Sequence, residues 1–236
     1  MKILSIDFDY FQNVTKEQIS LCPDGVDNPT YLSEIIWGNH YAADGDELKK
    51  IGLLNDEYNS LISLLSKQKS DIPVMIANSH VNIYDFINEN LSKGEELYIY
   101  NVDLHHDMIN ENEGLDCGNW IGYIMEERNA LKLMTYFAWV HNPISLKMYG
   151  IEDLFAEYDL QNRLYSSVKR LSKKKFDAIF LCRSDTWTPP HLDEYFAKLC
   201  DTINKHFSSV DIKDEINEPR IIYKEIAEQI RKLIPA

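Results

Sequence analysis

The amino-acid sequence predicts a single-domain, three-layer α/β/α fold built on a mostly parallel sheet. Three observations carry that expectation. Short runs rich in Ile, Val, Leu, Tyr and Phe occur at residues 2–6, 73–77, 97–102, 135–140 and 178–182, with the length and continuity of buried strands. Longer stretches of helical apolar spacing lie between them, and strands that alternate with helices build a parallel sheet covered on both faces. At 236 residues the chain is long enough for a sizeable core and short of the size at which cores divide, so one domain over 1–236 is expected.

The elements follow in order. The run at 2–6 opens the chain and leads into Asp7 and Asp9. Residues 47–65 place Leu48, Ile51, Leu54, Leu61 and Leu65 at helical spacing and read as one helix. The strand at 73–77 leads into Asn78, Ser79 and His80, and the strand at 97–102 into Asp103, His105, His106 and Asp107. The strand at 178–182 leads into Arg183, Ser184 and Asp185, and Pro189 and Pro190 then precede a helix at 191–206, where a helix start tolerates proline. Residues 208–219 read as the most linker-like region, before a last helix with Ile222, Ile226, Ile230 and Leu233 on one side.

Composition narrows the function classes. With 44% apolar and 26% charged residues the chain is ordinary for a folded protein. A formal charge of −14 repels phosphate backbones and anionic lipid, so nucleic acid and membrane surfaces are poor partners, and a cationic substrate fits better. Cys22, Cys117, Cys182 and Cys200 form no CxxC pair and read as free thiols. The first apolar stretch is interrupted by Asp7 and Asp9, which argues against a signal peptide, and a reducing cytoplasm is the expected location.

The polar residues gather at the C-terminal ends of the expected strands, the edge where open α/β sheets bind ligands. Asp103, His105 and Asp107 are spaced two apart, so an extended backbone aims them to one side. Asp7 and Asp9 repeat that spacing, and His80 follows a third strand. Together they offer four carboxylates and two imidazoles, a hard donor set suited to manganese, iron or zinc. A single zinc needs only three protein ligands. The surplus favours two ions about 3.5–4 Å apart, an arrangement that turns water into a nucleophile near neutral pH.

These segments resemble the arginase or ureohydrolase superfamily. Asn78-Ser79-His80 is similar to its GGDH-like segment, Asp103-Leu104-His105-His106-Asp107 to its DAHxD segment, and Ser5-Ile6-Asp7-Phe8-Asp9 to its SFDVD segment. Cys117-Gly118-Asn119-Trp120-Ile121-Gly122 resembles the family's SGNLHG loop. Two departures stand out: the SFDVD-like segment lies at the N-terminus rather than late in the chain, and Ile121 replaces the loop histidine. The combination DFDY, DLHHD, CGNW and SDTW looks most like a less characterised branch that includes peptide arginases.

The resemblance implies an arginase-deacetylase-like fold and two divalent ions, Mn2+ first and Zn2+ or Fe2+ next, held by Asp7, Asp9, His80, Asp103, His105 and Asp107. It implies hydrolysis of the guanidino group of peptidyl arginine to ornithine and urea. Asp107 would move the proton, with His106 and His40 in reserve. Asn119, Trp120 and Asp185 would contact the substrate, Asp185 by pairing with the guanidinium, although it could instead bind metal. Trp37, Trp120 and Trp187 sit near the motif loops as aromatic wall or core. Two rivals are a single-zinc deacetylase using Asp103, His105 and Asp185, and a metal-stabilised binding protein without catalysis.

Overall fold

The computed structural model describes residues 1–25, 27–108, 114–148, 163–213, 216 and 219–221. In chain order its strands are β1 (Lys2–Asp7), β2 (Gln12–Asn13), β3 (Gly52–Leu53), β4 (Val74–Ala77), β5 (Leu97–Asp103), β6 (Thr135–His141), β7 (Leu164–Tyr165), β8 (Ala178–Cys182) and β9 (Val210–Ile212). The helices are α1 (Lys16–Ile19), α2 (Thr30–Leu48), α3 (Asn55–Leu65), α4 (Asn82–Asn90), α5 (Trp120–Ala130), α6 (Ser145–Met148) and α7 (Asp193–His206).

Seven strands form the central sheet in the order β7-β6-β5-β1-β8-β4-β9, and every ladder in it is parallel. Alternation along the strands divides the core into two layers. Ile3, Met75, Ile99, Phe137 and Phe180 face α4 and α5, packing on Ile83, Phe86, Trp120 and Ile124. Leu4, Ile6, Ile76, Val102 and Leu181 face the other way, onto Trp37, Leu61, Phe196 and Ile203 of α2, α3 and α7. This is the three-layer α/β/α arrangement, and it explains why the strands read as continuous apolar runs: both faces are dry. No helix among the described residues is long and apolar enough to cross a membrane.

Two elements differ from the sequence expectation. The stretch at 47–65 is not one helix: α2 ends at Leu48, Gly52–Leu53 pairs antiparallel with Gln12–Asn13, and α3 begins at Asn55. Leu48, Ile51 and Leu53 are still buried, so their apolar spacing reported burial and not a shared helix. Within 208–219, Val210–Ile212 is no linker but an edge strand parallel to β4, registered Val74 to Val210. Its short length and exposed Asp211 disguise it. The expected last helix at Ile222–Leu233 lies outside the described residues. Before it, Arg220 is buried and its guanidinium bonds Asp193 Oδ1 at 2.7 Å, tying this segment to the start of α7.

Candidate metal centre

Adjacent central strands β5, β1, β8 and β4 deliver one group each to the C-terminal sheet edge. Asp103 ends β5, Asp7 ends β1, Cys182 ends β8, and His80 follows β4. Beyond β1 the chain tightens into a 3-10 turn at Phe8–Phe11, capped when Asp7 Oδ1 accepts the Asp9 amide at 3.0 Å. That turn brings Asp9 round to the same locus. Asp107 adopts φ +52°, a left-handed conformation that aspartate tolerates better than most residues, and this turns its carboxylate back toward β5.

Six predicted ligands are thereby brought together in two overlapping sets. Around His80 Nδ1 stand Asp7 Oδ2 at 3.2 Å, Asp103 Oδ2 at 3.2 Å and Asp107 Oδ2 at 3.0 Å. Around His105 Nδ1 stand Asp9 Oδ2 at 2.8 Å and Asp103 Oδ1 at 3.8 Å. Asp103 is shared, one oxygen toward each set. His80 and the four aspartates are all buried, and His105 is half-buried. Burial of so many carboxylates is costly unless a cation compensates them.

The donor chemistry fits a metal. His80 Nδ1 and Asp9 Oδ2 are buried yet make no aligned hydrogen bond among the described residues, although oppositely charged atoms lie within about 3 Å. Groups that crowd one another without hydrogen-bond alignment are arranged toward a common centre. Ser5 Oγ lies 2.7 Å from His80 Nε2, so a neutral ring with its proton on Nε2 would donate to Ser5 and leave Nδ1 free to hold a metal. Groups drawn from Asp7, His80 and Cys182, from Asp9, Asp103 and His105, and from His80, Asp103 and Asp107 could each hold a metal ion.

The protonation behaviour has the same cause. Burial and then repulsion from Asp7 push Asp9 up to about 7, against the pull of His105. Burial, followed by Asp107, Asp7 and Asp9, holds Asp103 well above the ordinary carboxylate range. Burial alone would depress His80, but Asp107, Asp103 and Asp7 outweigh it and hold the imidazole well above its usual value. Asp107 is also penalised by burial, yet the adjacent His80 charge keeps it below the usual carboxylate value.

The centre forms part of the wall of a cavity of about 710 Å³, which Asp7, His105, His106, Asp107, Asp24 and Trp187 help to line. His106 stands on this wall and accepts the Met108 amide at 3.1 Å; burial lowers its pKa, only partly offset by Asp107. The indole of Trp187 packs on His105 with centroids 4.6 Å apart.

The three residues expected to contact substrate are all buried and hydrogen-bonded within the protein. Asp185 is fully buried: Arg183 Nε donates to Oδ1 at 2.5 Å and Nη2 to Oδ2 at 3.0 Å, and Thr30 Oγ1 donates to Oδ2 at 2.9 Å. An internal guanidinium thus already occupies the carboxylate proposed to bind one, and Asp185 belongs to none of the metal-capable groups. Trp120 is buried, and its Nε1 donates to Asp107 Oδ2 at 2.6 Å, fixing that carboxylate in place. Asn119 is buried and closes its own loop, accepting the Asp116 amide at 2.8 Å and donating to Gly114 O at 2.6 Å. Trp37 is core, donating to Asp185 O, and His40 Nδ1 lies 2.8 Å from Leu21 O.

Several residues at the site carry no sequence signal of their own. Ser5, Asn101 and Phe180 sit within apolar strands: Asn101 Nδ2 donates to Asp103 Oδ2 at 2.9 Å, and Phe180 stacks parallel on His80 with centroids 5.7 Å apart. Period-two alternation from Asp103 identifies Asn101 as a neighbour on the same face. Asp27, in a loop, accepts the Thr186 amide at 3.2 Å and is pushed up to about 6 by burial and Asp7. Cys182 lies 175 residues after Asp7, and only the sheet reveals its place beside it.

A parallel sheet with a buried Asp/His cluster at its C-terminal edge defines an α/β protein with a candidate metal centre. Comparison with protein-family models, with curated proteins and with solved structures finds no match to this chain.

Proposed function

We propose that this chain is a binuclear metal hydrolase that cleaves the guanidino group of peptidyl arginine, giving ornithine and urea. The observation that carries the reading is the shared carboxylate: Asp103 presents one oxygen to the His80 set and the other to the His105 set. A carboxylate that faces two donor sets favours two ions over one. Asp7, Asp107 and His80 would complete one position, and Asp9 and His105 the other. Two divalent ions held there, with Mn2+, Zn2+ and Fe2+ all compatible with the donors, supply a water-derived nucleophile near neutral pH.

The chain's own residues do the rest. The cavity, at about 710 Å³, has the volume to take a side chain, and its acidic wall, with Asp24 and Asp116, favours a cation. Trp187 offers an aromatic surface against which a planar guanidinium packs well. Asp107, kept ionised beside His80 and fixed by Trp120, accepts a proton as water adds to the guanidinium carbon. Returning it to the nitrogen attached to the side chain lets the C–N bond break, and urea leaves. His106, favoured in its neutral form, stands on the same wall as a relay. The pairing of Asp185 with Arg183 removes the third ligand that the single-zinc deacetylase alternative requires.

The test is metal content of the purified chain, followed by mass spectrometry of arginine-containing peptides incubated with it. Two ions per chain and a mass loss equal to urea minus water support the reading. Bound metal with no change in any arginine peptide overturns the activity and favours a metal-stabilised binding protein.

A further inference from the structure

We propose that Cys182 is a further ligand of this centre, so that the position around His80 selects a thiophilic divalent ion, zinc or ferrous iron, over manganese. The inference rests on reading the cluster as a metal site. Cys182 ends β8 with Asp7 as its register partner on β1 and Ala77 as its partner on β4, which places it between the strands that supply Asp7 and His80. It is fully buried. Asp7 Oδ2 is flanked on both sides, 3.3 Å from Cys182 Sγ and 3.2 Å from His80 Nδ1. Ligand atoms of Asp7, His80 and Cys182 all lie within 4.8 Å of one another.

A buried cysteine beside a carboxylate has an ordinary explanation, in which the thiol donates a weak hydrogen bond to Asp7 and does nothing more. The independent observation against that explanation is His80. Its side chain is 1% exposed, and its Nδ1 makes no aligned hydrogen bond while facing the same Asp7 oxygen that the thiol faces. A sulfur, a nitrogen and carboxylate oxygens thus border one small volume. Thiolate is the softest donor available in proteins and discriminates strongly among first-row ions, whereas an all-oxygen and imidazole set does not. On binding, the thiol proton passes to solvent and the sulfur lone pair goes to the ion, with no change of oxidation state.

The test loads the full-length, metal-stripped chain with Co2+ or Zn2+. Cobalt should produce a sulfur-to-cobalt charge-transfer band in the near ultraviolet. X-ray absorption on the zinc form should show a sulfur scatterer at about 2.3 Å beside oxygen and nitrogen neighbours nearer 2.0–2.1 Å. Cys182→Ser should abolish both signals and weaken zinc at least about tenfold, while Cys117→Ser, altered on the cavity wall, should keep them. Zinc and cobalt bound through oxygen and nitrogen alone in the wild-type chain would overturn the proposal and leave the metal site standing. Binding of neither ion would overturn both. The absorption measurement needs no variant, so a Cys182→Ser chain that fails to fold does not blunt it.

Discussion

Replacing Asp103 with asparagine separates a metal centre from a purely structural polar cluster. The side chain keeps its shape and can still accept the His105 amide, 2.7 Å from Oδ1, but it loses one charge and puts an NH2 where Oδ2 accepted Asn101 Nδ2 at 2.9 Å, so Asn101 turns its amide over to present Oδ1. In the metal-free chain that charge is already disfavoured by burial and by Asp107, Asp7 and Asp9. Its removal should therefore leave apo stability unchanged or raised. With metal the sign reverses. An ion at 100 times its Kd stabilises the folded state by about 2.7 kcal/mol, and a hundredfold weaker Kd at the same concentration leaves about 0.4 kcal/mol. At about 2–4 °C per kcal/mol for a chain of this size, the metal-induced rise in Tm should fall from about 5–11 °C to about 1–2 °C. Thermal denaturation with and without Mn2+ or Zn2+ measures both quantities. A variant that lowers the apo Tm while keeping the full metal increment would refute Asp103 as a shared ligand.

Other substitutions test the surrounding structure. Ser5→Ala removes the partner 2.7 Å from His80 Nε2 and should weaken metal binding about 10–100-fold by competition titration, with secondary structure intact by circular dichroism; unchanged affinity would show that Ser5 does not orient the ring. Arg183→Met strands the buried Asp185 carboxylate and should cost about 3 kcal/mol in urea unfolding, the low end of such losses because Arg220 stands 4.0 Å away. Adding Asp185→Leu should recover much of that loss, and failure to recover would place the cost in packing. His191 is held neutral by burial, its Nε2 lying 2.7 Å from Ile51 O and its Nδ1 beside the Tyr41 hydroxyl. Its folded pKa is below the unfolded value, so the unfolded chain takes the proton first and stability is lost as pH falls below about 6.5. His191→Gln should show a smaller drop in Tm than wild type between pH 8 and pH 5.5, and equal slopes would exclude this histidine as the source.

The strand ends were legible because two signals coincide there. Buried parallel strands are apolar on both faces, so each run stops abruptly where the chain reaches the ligand-binding edge, and the polar residues beyond it stand out. That contrast marks Asp7, Asp103 and the His80 loop without any knowledge of strand order. The helix boundaries at Leu48 and Asn55 were obscured because apolar spacing records burial, and Ile51 and Leu53 between them are buried as well. Val210–Ile212 was obscured because an edge strand of three residues has little apolar content to show.

The roles of individual side chains divide in the same way. Residue type and spacing were enough to nominate Asp7, Asp9, His80, Asp103, His105 and Asp107, since metal donors are chemically distinctive and cluster by local geometry. Spacing could not reveal that Arg183 neutralises Asp185 or that Trp120 serves Asp107, because each depends on where a flexible side chain finds its partner after packing. Nor could it bring Cys182 beside Asp7, 175 residues earlier in the chain. The sequence determined the fold class and the donor chemistry, which are set by burial pattern and residue type. The tertiary structure decided which charges are already paired and which face one another across a shared oxygen, because those depend on strand order and register.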